Sequence, residues 1–373
     1  MLPKTFLDTM KHSMQAQQAE FLQQGKPVFS GPAALEHFAG WWKDREKPGH
    51  IVLLCDTNTA SFCLPRLMKA LPADVRISEI VIPQGEKSKS IATCQQVWEQ
   101  LTRLGIGRKD VLISLGGGVV TDLGGFAAST YLRGISFVHV PTTLMAMADA
   151  ALGGKNGIDF GGAKNRVGLF AFAECTVCDP VFLETLPAQE WRSGSAEVFK
   201  HALIADADLW KILEEQGCTA SSLPDLLHRI QRVKIDVVHR DPYERGVRKI
   251  LNFGHSIGHA LESESLEKDR VPFTHGEAIG RGMMIETEIG LRLAKMSAEE
   301  SAMVCRVLEQ HFGKADLRHY SAEALMKWIR LDKKNDGARV RMSLLTGIGR
   351  CDWDVEVKEQ LILEVLMDFG AAA

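Results

Sequence analysis

Five residues of this 373-residue chain have the types and spacing of a metal centre. His255 and His259 stand four apart in LNFGHSIGHALES, and Glu197 and His201 stand four apart in GSAEVFKHAL. On a helix, positions i and i+4 share a face, so each pair can present two ligand atoms together. His275 follows in the turn-like FTHGEA. A catalytic zinc takes three protein ligands, imidazole nitrogen and carboxylate oxygen among them, and keeps a further position open. Any three of the five could supply that set, and spacing alone does not choose among them.

A second group has the chemistry of a nucleotide site. The apolar run VLISL (111–115) leads into Gly116-Gly117-Gly118 and then Asp122, with Leu123-Gly124-Gly125-Phe126 beyond. Glycines after a strand let a backbone approach a pyrophosphate, and a helix N-terminus then faces the anion. The run is neither GxGxxG nor a P-loop, since no Gly-Lys-Ser/Thr follows. Asp56 and Asn58 follow an earlier strand, where they can read ribose hydroxyls or cap a helix. Basic residues gather around the same motifs: Arg133, Lys155, Lys164, Lys200, Lys234, Arg248, Lys333 and Lys334. Lys155 in GGKNG and Lys164 in GAKNR occupy two neighbouring polar turns, which suits a polyanion bearing phosphate and carboxylate. Cys175-Thr176-Val177-Cys178 is a lone CxxC on a strand-like segment, where i and i+3 point to opposite faces, so it reads as two unconnected thiols.

These residues need elements to hold them. IVLLC (51–55), SEIVIP (78–83), VLISL (111–115) and ISFVHVP (135–141) read as strands, and a helical stretch runs from Ile91 to Leu104. Strand and helix in alternation imply a parallel sheet covered by helices. From about Leu186 the strand signal fades into amphipathic segments: 188–204, 223–239, 276–297, 322–329 and a closing helix over 355–369. MSLLTGIG (342–349) is a late strand candidate. Pro180 disfavours helix just before it, so the expected division is 1–179, an α/β nucleotide-binding domain, and 180–373, a mostly α-helical metal- and substrate-binding domain.

Composition narrows the class. At 45% hydrophobic and 24% charged residues the chain can bury a core without staples. A net charge of −3 offers no basic excess for nucleic acid. The eight cysteines are scattered without a framework, the N-terminus lacks the apolar centre of a signal peptide, and no run approaches the ~18 apolar residues of a membrane span. A cytoplasmic location, with no membrane partner, is expected.

The motifs together resemble one family. GGGVVTDLGGFAAS, PTTLMAMADAALGGKNGI, AKNRVGLF, LPAQEWRSGSAEVFKHALI, RKILNFGHSIGHALES and HGEAIGRGM look like 3-dehydroquinate synthases, members of the sugar phosphate cyclases, in order and spacing over about residues 50–340. The resemblance implies NAD, one divalent metal ion (zinc or cobalt) and Glu197, His255 and His275 as metal ligands. It implies a cofactor site of Asp56, Asn58, Glu86, Lys89, Gly117, Gly118, Asp122, Thr142, Thr143, Lys164, Phe182, Thr185, Leu186 and Glu190. Substrate contacts fall on Asp149, Lys155, Asn165, Lys200, Lys234, Arg248, Asn252, His259 and the Asp332-Lys333-Lys334 segment. Arg133 matches an arginine lent to the neighbouring subunit, which implies a homodimer.

The implied reaction is that of a carbon–oxygen lyase: a seven-carbon keto-acid sugar phosphate yields 3-dehydroquinate and phosphate by transient oxidation, elimination, re-reduction and aldol closure. One departure lies near the implied substrate turn. The family's DSSVGGKTGIN is here DAALGGKNGID, so Asn156 stands for threonine and Asp159 for asparagine. Competing readings are a sister cyclase making an epi-valiolone or deoxy-inosose ring, a metal-dependent polyol dehydrogenase that would release NADH, and a degenerate paralogue serving as a binding subunit.

Overall fold

Buried apolar runs flanked by turn residues become the interior strands of a parallel sheet. In the computed structural model, which describes residues 21–43, 46, 48–161, 163–331 and 340–373, seven strands form one sheet. They are β1 (Phe21–Gln23), β2 (Lys26–Ser30), β3 (His50–Asp56), β4 (Arg76–Ile82), β5 (Val111–Gly116), β6 (Ser136–Pro141) and β9 (Cys175–Cys178). Their order is β1-β2-β9-β6-β5-β3-β4, all pairs parallel except β1 with β2. β3 and β5 are buried on both faces, as central parallel strands must be, whereas the edge strand β4 alternates exposed and buried positions. The helix Ile91–Arg103 is capped by Ser90 and buries Cys94, Val97 and Leu101. Those side chains share one core with Val120, Leu123 and Phe126 of the helix Gly118–Thr130 and with Leu54 and Leu112 of the sheet.

The chain divides into two compact units. The first extends to Leu186 and takes back Leu223–Ile235, where the sequence reading sets its division at 179/180. Pro180 starts a short 3-10 segment, Pro180–Thr185, instead of ending the unit. The helix Leu223–Arg240 returns because Gln231 Nε2 donates to Met147 O at 2.8 Å and Lys234 bridges to Asp149, both in the first unit. A sequence shows no signal for such a return.

An antiparallel hairpin, β7 (Lys155–Phe160) and β8 (Ala163–Phe170), belongs to the first unit. Lys155, Lys164 and Asn165 therefore stand on paired strands, not in the two polar turns expected from their glycines. Both cysteines of the CxxC lie on β9, buried and unbridged.

The second unit is mainly helical: Ala188–Ala205, Ala207–Gln216, His255–Lys268, His275–Arg292, Ala298–Phe312, Ala322–Leu331 and Glu359–Asp368. It also holds the hairpin β10 (Val340–Gly347) and β11 (Arg350–Val357), so the closing helix begins at Glu359 and 355–357 is strand. Phe199 packs edge-on against Trp210 and Phe312, with centroids 6.1 and 5.8 Å away. Two helices approach unusually closely where a Cβ on Gly282 would lie 2.1 Å from the Gly254 carbonyl oxygen. Among the described residues no helix is long and apolar enough to cross a membrane.

Candidate active site

In the second unit, three helices bring Glu197, His255 and His275 together. Their ligand atoms all lie within 4.8 Å of one another. His255 Nε2 is 3.5 Å and His275 Nε2 is 3.6 Å from Glu197 Oε1. The other ring nitrogens face outward: His255 Nδ1 lies 3.1 Å from the Phe253 carbonyl oxygen and His275 Nδ1 lies 3.3 Å from Glu262 Oε2. A proton on each Nδ1 donates to those acceptors and leaves the Nε2 lone pairs aimed inward, which is how outer-shell partners orient metal-binding imidazoles. Two imidazoles and a carboxylate fit the donor set of a zinc-type divalent ion.

The charges around this cluster are held in place. Glu197 is 2% and Lys200 1% exposed, and the Lys200 ammonium contacts Glu197 Oε2. An ion pair this deep is tolerated only when both charges are matched. Burial lowers the pKa of His255, and Lys200 lowers it further. Burial also opposes charge on His275, but Glu197 and Glu262 outweigh it and raise its pKa to about 9. In the charged ring the Nε2 proton faces Glu197 and the Nδ1 proton faces Glu262, so a metal at Nε2 would displace the first and leave the second in place.

His259 stands one turn after His255, its ring centroid 5.1 Å from that of His255 and 5.8 Å from that of His275. Its ligand atom also groups with Glu262 and His275. Arg248 and Asn252 lie on a short 3-10 segment, Val247–Asn252. Asp241 anchors the preceding loop by accepting the N–H groups of Arg245, Gly246 and Arg248, at 3.0, 2.7 and 3.1 Å. These bonds and the nearby Arg248 guanidinium hold its carboxyl below the usual range, although burial alone would raise it. Asn252 Nδ2 donates to Glu244 Oε1 at 2.8 Å. Glu190, in the first turn of the helix Ala188–Ala205, belongs to this unit also, with its pKa raised by burial.

The first unit gathers most of the nucleotide-side residues. Gly117 caps the helix Gly118–Thr130 and faces Thr143, since a Cβ there would lie 2.9 Å from Thr143 Cγ2. Thr142 is buried and donates its N–H to Gly116 O at 3.0 Å. Lys89 Nζ is 2.6 Å from Asp122 Oδ2 and donates to Asn165 Oδ1 at 2.5 Å. Burial works against the Lys89 charge, but Asp122 and Glu86 prevail and its pKa is raised. Lys164 Nζ lies 3.6 Å from Glu86 Oε1. Asp56 caps the helix Thr57–Phe62, accepting from Asn58 N and Thr59 N at 2.9 Å each; Asn58 is exposed. Phe182 is buried and Thr185 bonds the Cys63 thiol, while Leu186 closes the unit. Lys234 Nζ reaches Asp149 Oδ2 at 2.9 Å. Arg133 is exposed on a strained turn, where Leu132 and Arg133 take left-handed φ of 51° and 65°.

The two departures have distinct structural roles. Asn156 is 4% exposed and donates through Nδ2 to the carbonyl oxygens of Gly154 (3.1 Å) and Ala171 (2.8 Å). Strand alternation turns it away from the exposed Lys155, so it acts on the hairpin and not on a ligand. Asp159 Oδ1 accepts the Asn165 N–H at 2.7 Å and so fixes a residue whose φ is 50°. Asp332, Lys333 and Lys334 lie outside the described residues.

Spacing pointed to neither Glu262 nor Glu244. Glu262, three residues after His259, carries a helical signal that could have found it, whereas Glu244 sits in a loop at φ 58° and carries none.

Comparison with known proteins agrees with this geometry. Residues 79–193 match the family model described as 3-dehydroquinate synthase N-terminal, and residues 194–335 match that described as 3-dehydroquinate synthase C-terminal. A 3-dehydroquinate synthase of Parabacteroides distasonis is 37% identical over 319 residues, covering 85% of this chain and 90% of the relative. The solved 2-epi-5-epi-valiolone synthase of Streptomyces hygroscopicus subsp. jinggangensis 5008, with NAD+ and Zn2+ bound, is 27% identical with a TM-score of 0.81, covering 92% of this chain and 96% of that one. A solved 2-deoxy-scyllo-inosose synthase, complexed with carbaglucose-6-phosphate, NAD+ and Co2+, shares the fold at TM-score 0.81 and 24% identity, over 92% and 96% of the two chains.

Proposed function

The chain belongs to the 3-dehydroquinate synthase family, and from that membership we propose that it converts 3-deoxy-D-arabino-heptulosonate 7-phosphate to 3-dehydroquinate and phosphate, as a carbon–oxygen lyase of aromatic amino acid biosynthesis. The observation that carries the reading is the Glu197, His255 and His275 cluster, whose donor set suits a divalent ion. When bound, NAD supplies reversible oxidation of a ring alcohol and the divalent ion supplies the positive charge that polarises its oxygen.

The chain's own residues do the rest. Lys200 pins the Glu197 carboxylate, and Glu262 holds the His275 ring, so the donors are oriented before any ligand arrives. Asn252 and His259 hold the substrate phosphate, which leaves with the proton from the carbon next to the transient ketone; Lys155 and Asn165 are assigned substrate contacts by the family pattern. Asn165 is preset by Asp159 and Lys89, and Asn252 by Glu244. Arg248, with its planar fork, takes the substrate carboxylate; Lys234, paired to Asp149 in the first unit, is assigned a substrate contact by the family pattern. The Gly117 turn accommodates the NAD pyrophosphate close to the backbone, with Lys89, Asp122, Glu86 and Lys164 forming its charged surround.

A homodimer in which Arg133 completes the neighbouring site, and a cytoplasmic location, complete the proposal. The test is to incubate the protein with NAD, Zn2+ and the heptulosonate phosphate, following phosphate release and product mass. Phosphate and 3-dehydroquinate should appear together without net NADH. Absence of phosphate release, or accumulation of NADH, overturns the reading. A higher rate on a heptulose phosphate lacking the carboxylate would favour a sister cyclase.

A further inference from the structure

Glu286 has no part in the chemistry above, yet it is completely buried in the second unit, at 0% exposure. It sits on the helix His275–Arg292, and its carboxylate faces the start of another helix. Oε2 accepts the Gly254 N–H at 2.6 Å and Oε1 accepts the Ile257 N–H at 3.0 Å. Gly254 is the N-cap of the helix that begins at His255; its φ is 79° and it has no side chain with which to cap. The first N–H groups of any α-helix lack intrahelical acceptors, and negative charge is favoured there. Glu286 supplies both the acceptors and the charge from a different helix. Gly282, one turn earlier, permits the approach, because any Cβ there would meet the Gly254 carbonyl.

We propose that Glu286 is a positioning residue for the metal centre: its carboxylate sets the rotation and depth of the first turn that carries His255, and so holds His255 Nε2 facing Glu197. The inference rests on the metal reading above. A cap that merely adds stability would leave the ligand geometry untouched, so the two roles separate by measurement.

Glu286→Gln keeps the size, loses the charge, and offers an amide NH2 to one of the two N–H groups. Competition against a chromophoric chelator for Zn2+ should show its affinity for the ion lowered about 10- to 100-fold, the range of outer-shell changes, with helical circular dichroism retained. Glu286→Asp, which restores the charge with a shorter reach, should recover part of the loss. Leu366→Ala, a core truncation in the closing helix, should lower the melting temperature while keeping wild-type Zn2+ affinity. Wild-type affinity in Glu286→Gln, or an equal loss in Leu366→Ala, overturns the proposal. Should the Gln protein not fold, wild-type affinity in Glu286→Asp overturns it. A wild-type protein that takes up no Zn2+ removes the metal reading and this inference with it, whereas unchanged binding in the Glu286 variants of a Zn2+-binding protein removes this inference alone.

Discussion

A single imidazole can decide ligand binding at one place and acid stability at another. His275 lies between Glu197 and Glu262, so His275→Ala should weaken Zn2+ binding beyond the ~100-fold upper range of outer-shell changes and abolish phosphate release. Circular dichroism should show the fold retained; unchanged metal content would remove His275 from the ligand set. His139, on β6, is buried beside Phe137, and its Nε2 is 3.3 Å from Asn156 Oδ1. Burial pushes its pKa down to about 4, outweighing the Asn156 bond. An unfolded histidine titrates near 6.5, so the neutral ring favours the fold above about pH 6.5. That contribution, on the order of 3 kcal/mol, is lost as pH falls through about 4. The urea midpoint of the wild type should therefore fall more steeply from pH 7 to 4.5 than that of His139→Gln. Parallel slopes would rule His139 out as the cause.

Pairs of elements set the geometry that single residues use. The helices bearing His255 and His275 meet through glycines, and Gly282→Ala must push them apart or twist them. A loss of about 1–3 kcal/mol in chemical denaturation is expected from such overpacking, together with weaker Zn2+ binding. A variant as stable as wild type would mean that the helices part freely. The β7–β8 hairpin depends similarly on Asn156, whose amide joins Gly154 O and Ala171 O. Asn156→Ala leaves those acceptors without that donor, at a cost of about 1–3 kcal/mol, and should raise KM more than it lowers kcat if Lys155 binds substrate. An unchanged KM would detach Lys155 from binding.

At the scale of the whole molecule, the proposed dimer makes a prediction that no single chain can meet. If Arg133 serves the neighbouring subunit, Arg133→Ala and His275→Ala homodimers are each inactive. A mixed dimer then has one intact site, in the protomer that retains His275. Statistical mixing at equal amounts should restore about a quarter of wild-type activity, since half of the dimers are mixed and half of their sites are intact. No recovery on mixing, with mixed dimers shown by mass spectrometry, would place Arg133 in its own subunit's site; an active Arg133→Ala homodimer would place it outside any.

Local patterning by itself determined the parallel-sheet class, the helical character of the later chain, the separateness of Cys175 and Cys178, and a short set of ligand-capable residues. These follow from periodicity and turn chemistry, which act over a few residues. The motif series also carried the family resemblance, because order and spacing along the chain are properties of sequence. Tertiary structure alone decided the rest. The return of Leu223–Ile235 to the first unit depends on contacts with Met147 and Asp149, far away in the chain. The hairpin under Lys155 hides its pairing because Gly-rich runs resemble turns. Glu197 faces His255 and His275 only because three helices pack there, and Glu286 caps a helix to which it does not belong. Spacing along one helix says which side chains share a face, but not which other helix that face will meet.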